Sequence, residues 1–490
     1  MRILLLSLLS VPLLCDASDD DSLRQLDALA NEVIALNITA GMAIAVVQGE
    51  RVVYAKGFGV TDVEKPMPVT ADTQFFIAST TKALTALAAL MQEHRGRIDL
   101  QAPVSRYLPA LKLAAGLDPR EIRLMDLLTM SHGISDDGPV VIRTAYTGEF
   151  TTAQLLELAA LHAPNPSGRA FSYGNLGYNL IGMALDPRQD DGWKPIVERE
   201  VLKPLRMTRT AAQVSRADGD ALAKSHTLDD LGVRRVTYGK QDANMHAAGG
   251  HVSTVRDLAR LLVMELNEGR IDGEEVFPAE VIRRSQTQQV SQDRRFGPIK
   301  RHGWGIGWDL GRYEGDLIVH RPGGFQGFTS HVSFMPERKV GVAVLVNAGG
   351  PAATAIQVVS AHAYDVVLGR NDLNQRHARI VEQVRELRAR RVQNAVKRRE
   401  SGKSGKDSEL VDFVGDYCNT ALGTIRVSRR LSGLLVTLGI MESAAVWLDP
   451  VQASFYTDLP SEEIVQFRRS AGAGPATGIH YLDTLFDRCR

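Results

Sequence analysis

The sequence has no net charge, because 57 Lys and Arg residues balance 57 Asp and Glu residues over 490 positions. Without a basic excess, nucleic acid is not expected as a general partner. The hydrophobic fraction of 44% and the charged fraction of 23% are typical of an ordinary globular protein. A chain of this length is too long for one hydrophobic core, so it predicts at least two domains.

Long apolar runs are also missing, apart from one at the N-terminus. Residues 3–14 form an apolar stretch that follows a basic residue and precedes the small residue Ala17. The stretch is shorter than the ~20 apolar residues that span a bilayer. It predicts a cleaved signal peptide over residues 1–17 and a periplasmic or secreted protein, the alternative being a buried N-terminal helix. Lipid anchoring at Cys15 is not expected, because Leu14 is a poor residue before such a site.

Cysteine is scarce, with three residues in the whole chain. Cleavage after residue 17 leaves Cys418 and Cys489, both in the last fifth of the sequence. In an oxidising compartment these two thiols can form a disulfide that closes this region. The alternative is two unrelated thiols.

Charge is nearly absent between Asp72 and Glu93, where Lys82 is the one charged residue. Ala, Leu and Met dominate the segment, so it predicts a helix, and its apolar residues surround the axis, so the helix should be buried. A buried lysine costs several kcal/mol unless it is paired or deprotonated. Residues i and i+3 share a helix face, which places Lys82 beside the hydroxyl of Ser79 and lets it activate that hydroxyl. The alternative is that Ser79 only caps the helix.

A second segment, residues 171–178, places Tyr173 and Asn175 two positions apart in an aromatic loop with glycines. A phenol there can exchange a proton with Ser79 and Lys82 if neighbouring cations lower its pKa. The Asn175 amide can orient a substrate carbonyl. The alternative is a loop that caps a helix.

A third segment begins at Arg321 and contains Gly323 and Gly324. Glycines beside a cation suit a strand edge that a substrate approaches closely. Arg321 can hold a carboxylate, and the backbone N–H groups of Gly324 and Ser79 can form an oxyanion hole. The alternative is a tight turn with a surface arginine.

Together these motifs resemble the serine β-lactamase and penicillin-binding-protein superfamily, specifically the class C-like branch of D-aminopeptidases, DD-carboxypeptidases and serine esterases. The motifs are Ser79-Thr80-Thr81-Lys82, Tyr173-Gly174-Asn175 and Arg321-Pro322-Gly323, in the family's order. The resemblance implies that Ser79 is acylated, that Lys82 and Tyr173 manage its proton, and that Asn175 contacts substrate. Which of the two is the base stays open.

The third motif departs from the family, which has Lys or His where this chain has Arg321. His320 lies one position earlier, so a shifted register would give His320 that role instead. The departure puts carboxylate and leaving-group recognition in doubt, although the serine and lysine chemistry is unaffected.

The resemblance implies an α/β (α+β) fold, with a β-lactamase/transpeptidase-like mixed antiparallel sheet and a helical region over residues 22–368. The sequence itself indicates a hairpin around Gly49-Glu50, a mostly helical stretch over 121–185 and an apolar strand over 340–347. Residues 369–408 read as a charged helix and linker. Residues 409–490 predict a small antiparallel β-barrel, similar to the lipocalin-like domain of some family members. Its expected strands are residues 423–428, 433–438, 444–448, 463–467 and 478–482.

These observations predict a serine hydrolase that acts through an acyl-enzyme on a small amide or ester. The resemblance implies that the substrate is a D-amino-acid peptide, an ester or a β-lactam-like compound. A small molecule or peptide is the expected partner, and the oligomeric state stays open. No cofactor or metal is expected, and the segment between His246 and His251 predicts a turn rather than a helix face that carries metal ligands. One alternative is a catalytically weak or inactive penicillin-binding-like protein that binds cell-wall-type peptides. Another is an α/β-hydrolase in which Ser172 is the nucleophile.

Overall fold

The computed structural model describes part of the chain. Its described residues are 17–136, 138–186, 192–229, 231–236, 239–401, 410–430, 433–449, 453–457, 459, 463–469, 474–482 and 484–490. The predicted signal peptide lies outside them apart from its last residue, as do Cys15 and residues 402–409 at the end of the predicted linker. Among the described helices, none combines the length and the apolar character that crossing a membrane requires.

Helices and strands alternate in blocks along the chain. The helices are α1 (Ala17–Ala35), α2 (Thr81–His94), α3 (Leu124–Leu128), α4 (Gly138–Thr147), α5 (Thr152–Leu158), α6 (Leu176–Leu185), α7 (Trp193–Val197), α8 (Val255–Leu266), α9 (Ala279–Ser285), α10 (Ala352–Val367) and α11 (Leu373–Ser401). The strands of the first part are β1 (Gly41–Gln48), β2 (Arg51–Gly59), β3 (Phe75–Phe76), β4 (His226–Leu228), β5 (Val233–Arg235), β6 (Val252–Ser253), β7 (Arg270–Ile271), β8 (Glu274–Glu275), β9 (Val290–Phe296), β10 (Ile299–Trp304), β11 (Asp309–Tyr313), β12 (Asp316–Phe325), β13 (Phe328–Met335) and β14 (Val340–Val346). The strands after α11 are β15 (Gly415–Asn419), β16 (Gly423–Arg430), β17 (Gly433–Leu438), β18 (Met441–Asp449), β19 (Ser454–Thr457), β20 (Glu463–Arg468), β21 (Gly478–Tyr481) and β22 (Thr484–Arg488).

An eight-stranded sheet forms the centre of the first part, in the order β2-β1-β14-β13-β12-β11-β10-β9 with antiparallel neighbours. The predicted hairpin joins β1 to β2 at Gly49-Glu50. The predicted apolar strand is β14, which is buried along its whole length between β1 and β13. The sheet, the helices and the C-terminal barrel together confirm the predicted fold class.

Both faces of this sheet are covered, which explains why β1 and β14 are apolar without interruption. Successive side chains of a strand point to opposite faces, and alternate residues of β1 accordingly belong to two different hydrophobic clusters. One cluster packs the sheet against α1 and α10, and the other packs it against α2 and α8. The second cluster carries the candidate site.

The helix that contains Lys82 is α2, and it is buried from Thr81 to Gln92, as predicted. Ser79 is not part of it: it lies in a 3-10 turn, Ala78–Thr80, that leads into α2. The stretch 121–185 is less helical than predicted, since α3, α4, α5 and α6 are short and separated by loops. Those loops are what bring polar side chains to Ser79.

The C-terminal strands close into a barrel in which β15 to β22 follow one another in order. The five expected segments coincide with β16, β17, β18, β20 and β21, while β15, β19 and β22 were missed. A disulfide joins Cys418 of β15 to Cys489, just after β22, with the two Cα atoms 5.3 Å apart. Val140 of α4 and Leu158 of α5 belong to the barrel's hydrophobic cluster, so the barrel rests on the helical region.

Candidate functional site

The backbone at Ser79 is unusual, because Ala78 adopts a left-handed conformation with φ of 44°. Such a conformation is uncommon for a residue with a side chain and marks a constrained turn. Strand β12 passes directly beside this turn at Gly323. A Cβ atom at Gly323 would lie 2.2 Å from the Ile77 carbonyl oxygen and 2.9 Å from the Ser79 nitrogen. The absence of a side chain at Gly323 therefore lets the strand reach the serine.

The ammonium group of Lys82 is buried beside Ser79. Its Nζ donates to Ser79 Oγ at 3.1 Å, to Asn175 Oδ1 at 2.8 Å and to the Ala248 carbonyl oxygen at 2.9 Å. The side chain has no solvent exposure, and burial lowers its pKa from the usual value, while the nearby Tyr173 opposes that shift. Because two of its partners are obligate acceptors, a neutral amine at this position directs its lone pair toward Ser79 and Tyr173.

Tyr173 completes a triangle with these two residues, since its hydroxyl lies within hydrogen-bonding reach of Ser79 and Lys82, and Lys82 Nζ is 5.0 Å from the Tyr173 ring centroid. Burial alone raises the pKa of this phenol. The charges of Arg321 and Lys82 and the two hydrogen bonds outweigh that effect and lower the pKa of Tyr173 to about 8. The phenolate is therefore accessible near neutral pH.

Arg321 lies beneath Tyr173 rather than on the surface. Its guanidinium carbon is 4.8 Å from the Tyr173 ring centroid and 5.0 Å from the Trp304 ring. Its Nη1 lies 2.9 Å from Asp309 Oδ2, and Asp309 also accepts a hydrogen bond from Gln292 at 2.9 Å. Only 3% of Arg321 is exposed, so the alternative of a surface arginine in a turn is wrong. The charge expected to hold a substrate carboxylate is already paired by Asp309, which sequence reasoning missed.

His320, the other candidate for the third motif, belongs to a different cluster. Its Nδ1 lies 3.1 Å from His331 Nε2, and Arg301 Nε donates to its Nε2 at 3.3 Å. Side chains alternate along a strand, so His320 points away from the face that Arg321 and Gly323 share. The structure brings Arg321, and not His320, to Tyr173.

Gly324 follows on the exposed part of β12. A Cβ atom there would meet no heavy atom within 4 Å, in contrast to the crowded Gly323. Because side chains alternate along a strand, this open space lies on the face of β12 opposite to the one that Gly323 turns toward Ser79.

Asn175 is held by Asp136, a second residue that sequence reasoning missed. Asp136 Oδ2 accepts a hydrogen bond from the Asn175 backbone N–H at 2.7 Å, and its Oδ1 accepts one from the Leu176 N–H at 3.0 Å. A carboxylate at this point caps α6 and offsets the positive end of its dipole. No local signal reveals the contact, because the two residues lie 39 positions apart.

The remaining sequence candidates lie elsewhere. His246 Nε2 is 3.1 Å from the Thr144 carbonyl oxygen, and His251 packs edge-on against Trp193 at 5.2 Å. Within the described residues there is no group of three His, Cys, Asp or Glu side chains placed to bind a metal ion. Arg294, an exposed residue of β9, lies 5.4 Å from the Tyr173 ring and extends the site's cationic rim on that side.

Comparison with known proteins gives the family. The family model described as Beta-lactamase matches residues 27–362, so the chain belongs to the beta-lactamase family. Protein flp of Staphylococcus aureus (strain N315) is 24% identical over 335 residues, which are 67% of this chain and 64% of that protein. The chain thus spans somewhat less than two thirds of this relative's length. An uncharacterized protein of Mycobacterium tuberculosis is 28% identical over 296 residues, covering 55% of this chain and 72% of the relative.

Solved structures share the fold. The octameric penicillin-binding protein homologue from Pyrococcus abyssi matches with a TM-score of 0.60 and 23% identity, over 95% of this chain and 100% of that one. D-amino acid amidase from Ochrobactrum anthropi SV3, complexed with D-phenylalanine, matches with a TM-score of 0.58 and 20% identity, over 74% of this chain and 99% of that one.

Proposed function

We propose that this member of the beta-lactamase family is a serine hydrolase that works through an acyl-enzyme at Ser79. The observation that carries the proposal is the 3.1 Å contact between Lys82 Nζ and Ser79 Oγ, with the Tyr173 hydroxyl within hydrogen-bonding reach of both residues. A nucleophile in direct hydrogen bonding with its proton acceptor is the arrangement that acyl transfer requires. The buried setting excludes bulk water from the proton's path.

Tyr173 is the general base in this proposal, and the charge of Lys82 stabilises its deprotonated form. The Tyr173 pKa of about 8 gives a substantial phenolate fraction at neutral pH, and a phenolate can take the Ser79 proton directly. Lys82 and Arg321 provide the positive charge that stabilises the phenolate. The Ser79 oxygen then attacks the substrate carbonyl, forming one C–O bond while the carbonyl electron pair moves to oxygen.

The oxyanion that results is bound by the backbone N–H groups of Ser79 and Gly324, each worth roughly 3–4 kcal/mol in the transition state. Tyr173, now protonated, returns the proton to the leaving group as the tetrahedral intermediate collapses. Water then enters, Tyr173 removes its proton, and the resulting hydroxide equivalent releases the acid and restores the Ser79 hydroxyl. Asn175, fixed by Lys82 and Asp136, is placed to contact the substrate amide.

The substrate in this proposal is a small D-amino-acid amide, peptide or ester, as in the class C-like branch. The motif order supports that assignment, and one of the fold neighbours is a D-amino acid amidase. A β-lactam is a mimic that acylates the same serine. The lipocalin-like barrel and the periplasmic or secreted location complete the proposal.

Intact-protein mass spectrometry with an activated ester and a β-lactam tests the assignment. We expect one acyl adduct, on the peptide that contains Ser79, and no adduct in Ser79→Ala. Ser172→Ala is the matched control, because Ser172 is the nucleophile of the α/β-hydrolase alternative and lies next to Tyr173. Adducts that persist in Ser79→Ala and vanish in Ser172→Ala would contradict the proposal.

A second candidate function is a penicillin-binding-like protein that is acylated but turns over poorly. The pairing of Arg321 with Asp309 favours it, since this cation is less free to assist the leaving group than the family's Lys or His. The two candidates differ in deacylation. Rapid loss of the adduct with release of acid indicates a hydrolase, and an adduct stable for hours indicates a binding protein.

A further inference from the structure

A lysine that the reaction above does not use is half-buried beside the end of β12. Lys240 Nζ donates to the carbonyl oxygens of Ala145 at 2.6 Å and Asn244 at 3.1 Å. It also lies 4.6 Å from the ring centroid of Phe325 and 5.6 Å from that of Tyr146. In the part of the chain that the structure describes, no carboxylate forms an ion pair with it.

An unpaired cation in such surroundings is costly. Removing an ammonium group from water without a counter-charge is unfavourable, and burial lowers the pKa of Lys240 to about 7. The nearby His246 adds no second positive charge, because burial lowers its pKa to about 4 and Lys240 adds to that shift. Two of the three ammonium hydrogens are bound to carbonyls, which leaves one hydrogen and an uncompensated charge.

The aromatic wall around Lys240 is continuous with the proposed oxyanion hole. Phe325 follows Gly324 in β12, and Tyr146 stacks on Phe325 with the ring centroids 4.7 Å apart and an interplanar angle of 18°. The Tyr146 hydroxyl is hydrogen-bonded to the backbone of Gln326, so the two rings are fixed together. Lys240 therefore lies at the edge of a rigid aromatic surface that begins beside the reacting carbonyl.

The direction of a bound substrate follows from the proton transfer. The group that protonates the leaving group must lie on the leaving-group side, and in the proposed reaction that group is Tyr173. The acyl part then extends away from Tyr173, along β12 toward Phe325. Among the described residues that form this aromatic wall, Lys240 is the one cation. It lies where the far end of such an acyl group would reach.

We propose that Lys240 and the stacked rings of Phe325 and Tyr146 form a subsite for a carboxylate on the acyl side of the substrate. The inference rests on the proposed acyl-enzyme at Ser79 and adds the substrate class: an acyl group that carries a negative charge several bonds from the scissile carbonyl. The substrate carboxylate pairs with the remaining ammonium hydrogen of Lys240. The methylene chain that joins this carboxylate to the scissile carbonyl packs on the Phe325 ring.

Two esters of equal acyl length test this subsite. 4-Nitrophenyl hydrogen glutarate carries the carboxylate, and 4-nitrophenyl pentanoate is its neutral counterpart with the same leaving group. We expect a preference in kcat/KM for the glutarate, and Lys240→Met should reduce that preference by about ten- to a hundredfold, the usual worth of a charged hydrogen bond. Most of the change should be in KM, and Lys240→Arg should keep the preference.

Lys194→Met is the matched control, because Lys194 also tethers the turn at Asp242–Asn244 through a backbone carbonyl, at 2.7 Å, without contacting the aromatic wall. We expect it to change both esters equally. Turnover of the pentanoate through Ser79 with a preference that Lys240→Met leaves unchanged would overturn the subsite alone. An equal loss of the glutarate preference in Lys240→Met and Lys194→Met would show that Lys240 only holds the backbone in place, and it would overturn the subsite. Absence of any Ser79 adduct with either ester would overturn the proposed function, and the subsite with it.

Discussion

The guanidinium carbon of Arg321 lies 4.8 Å from the ring centroid of Tyr173, while its Nη1 pairs with Asp309 at 2.9 Å. This arrangement places a fixed positive charge beneath the phenol instead of at the surface. In the proposed reaction Arg321 therefore acts mainly through the proton affinity of Tyr173, and Asp309 determines its position.

The first prediction concerns pH. If the phenolate of Tyr173 is the base, kcat/KM should rise with pH through a midpoint near the Tyr173 pKa of about 8, because the active form is the deprotonated one. Arg321→Gln removes a charge that lowers this pKa, so the midpoint should move to higher pH by about one unit or more. Arg321→Lys keeps the charge and should shift it less. A pH profile that is identical in wild type and Arg321→Gln would contradict the role of Arg321.

The second prediction isolates the Tyr173 hydroxyl. Tyr173→Phe keeps the ring over Arg321 but removes the proton carrier, so acylation of Ser79 should slow by about 10²–10⁴-fold with little change in Tm. Tyr178→Phe is the control, because Tyr178 also lies near Lys82 but donates its hydroxyl to the Leu128 carbonyl at 3.0 Å. It should lose about 1 kcal/mol of stability and retain most of its activity. Stopped-flow acylation and thermal denaturation measure the two effects, and similar acylation rates in both variants would argue against Tyr173 as the base.

The third prediction compares two neighbouring glycines. Gly323→Ala places a methyl group 2.2 Å from the Ile77 carbonyl oxygen, so β12 must move away from Ser79. We expect Gly323→Ala to lose most of its activity and roughly 1–3 kcal/mol of stability. Gly324→Ala adds its methyl group to open space and keeps the backbone N–H, so a small substrate should still be hydrolysed. Comparable activity of the two variants would show that the close approach at Gly323 is not needed.

The fourth prediction tests the cap of α6. Asp136→Ala leaves the backbone N–H groups of Asn175 and Leu176 without their carboxylate, which should cost about 0.5–2 kcal/mol and raise KM as Asn175 loosens. Asp136→Asn retains a hydrogen-bond acceptor, so its stability and its KM should lie between those of the wild type and those of Asp136→Ala. Steady-state kinetics and urea denaturation provide both quantities. A fall in stability without any change in KM would restrict Asp136 to a structural role.

The fifth prediction concerns the disulfide between Cys418 and Cys489. Because it closes a segment of 71 residues, its removal should destabilise the barrel by about 4 kcal/mol in the chain-entropy description. Calorimetry of the full chain with and without reductant should show this destabilisation as a lower unfolding temperature of the barrel. The double Cys→Ser variant should reproduce it under both conditions. An unchanged thermogram would mean that the remaining barrel contacts suffice.

The sequence alone determined the pairing of Ser79 and Lys82 at the centre of the candidate site. Lys82 is the one charged residue between Asp72 and Glu93, in a segment dominated by apolar residues, and its three-residue spacing from Ser79 is a local property of the chain. The same holds for the hairpin at Gly49-Glu50 and for the apolar strand β14. In each case the signal is a pattern of residues close together in the sequence, and burial of the apolar residues reinforces it.

Local sequence patterns predicted only part of the barrel. Five of its strands were visible as short β segments between turn residues, whereas β15, β19 and β22 were not. Strand β15 and the end of β22 complete the barrel by pairing with each other across most of the domain. Pairing over such a distance depends on closure of the whole sheet, and no local period records it.

Tertiary structure alone decided which groups surround the serine and lysine. The sequence left Arg321 and His320 as alternatives, and strand alternation together with the approach of Gly323 to Ser79 places Arg321 on the side of the site. Asp136, Asp309 and Lys240 had no signal at all. Asp136 acts on Asn175, 39 positions away, and Asp309 acts on Arg321 from the neighbouring strand β11. The strength of such a charge or hydrogen bond depends on burial. Burial is a property of the packed molecule, and for that reason the sequence specifies the serine–lysine pair, while only the fold specifies its electrostatic environment.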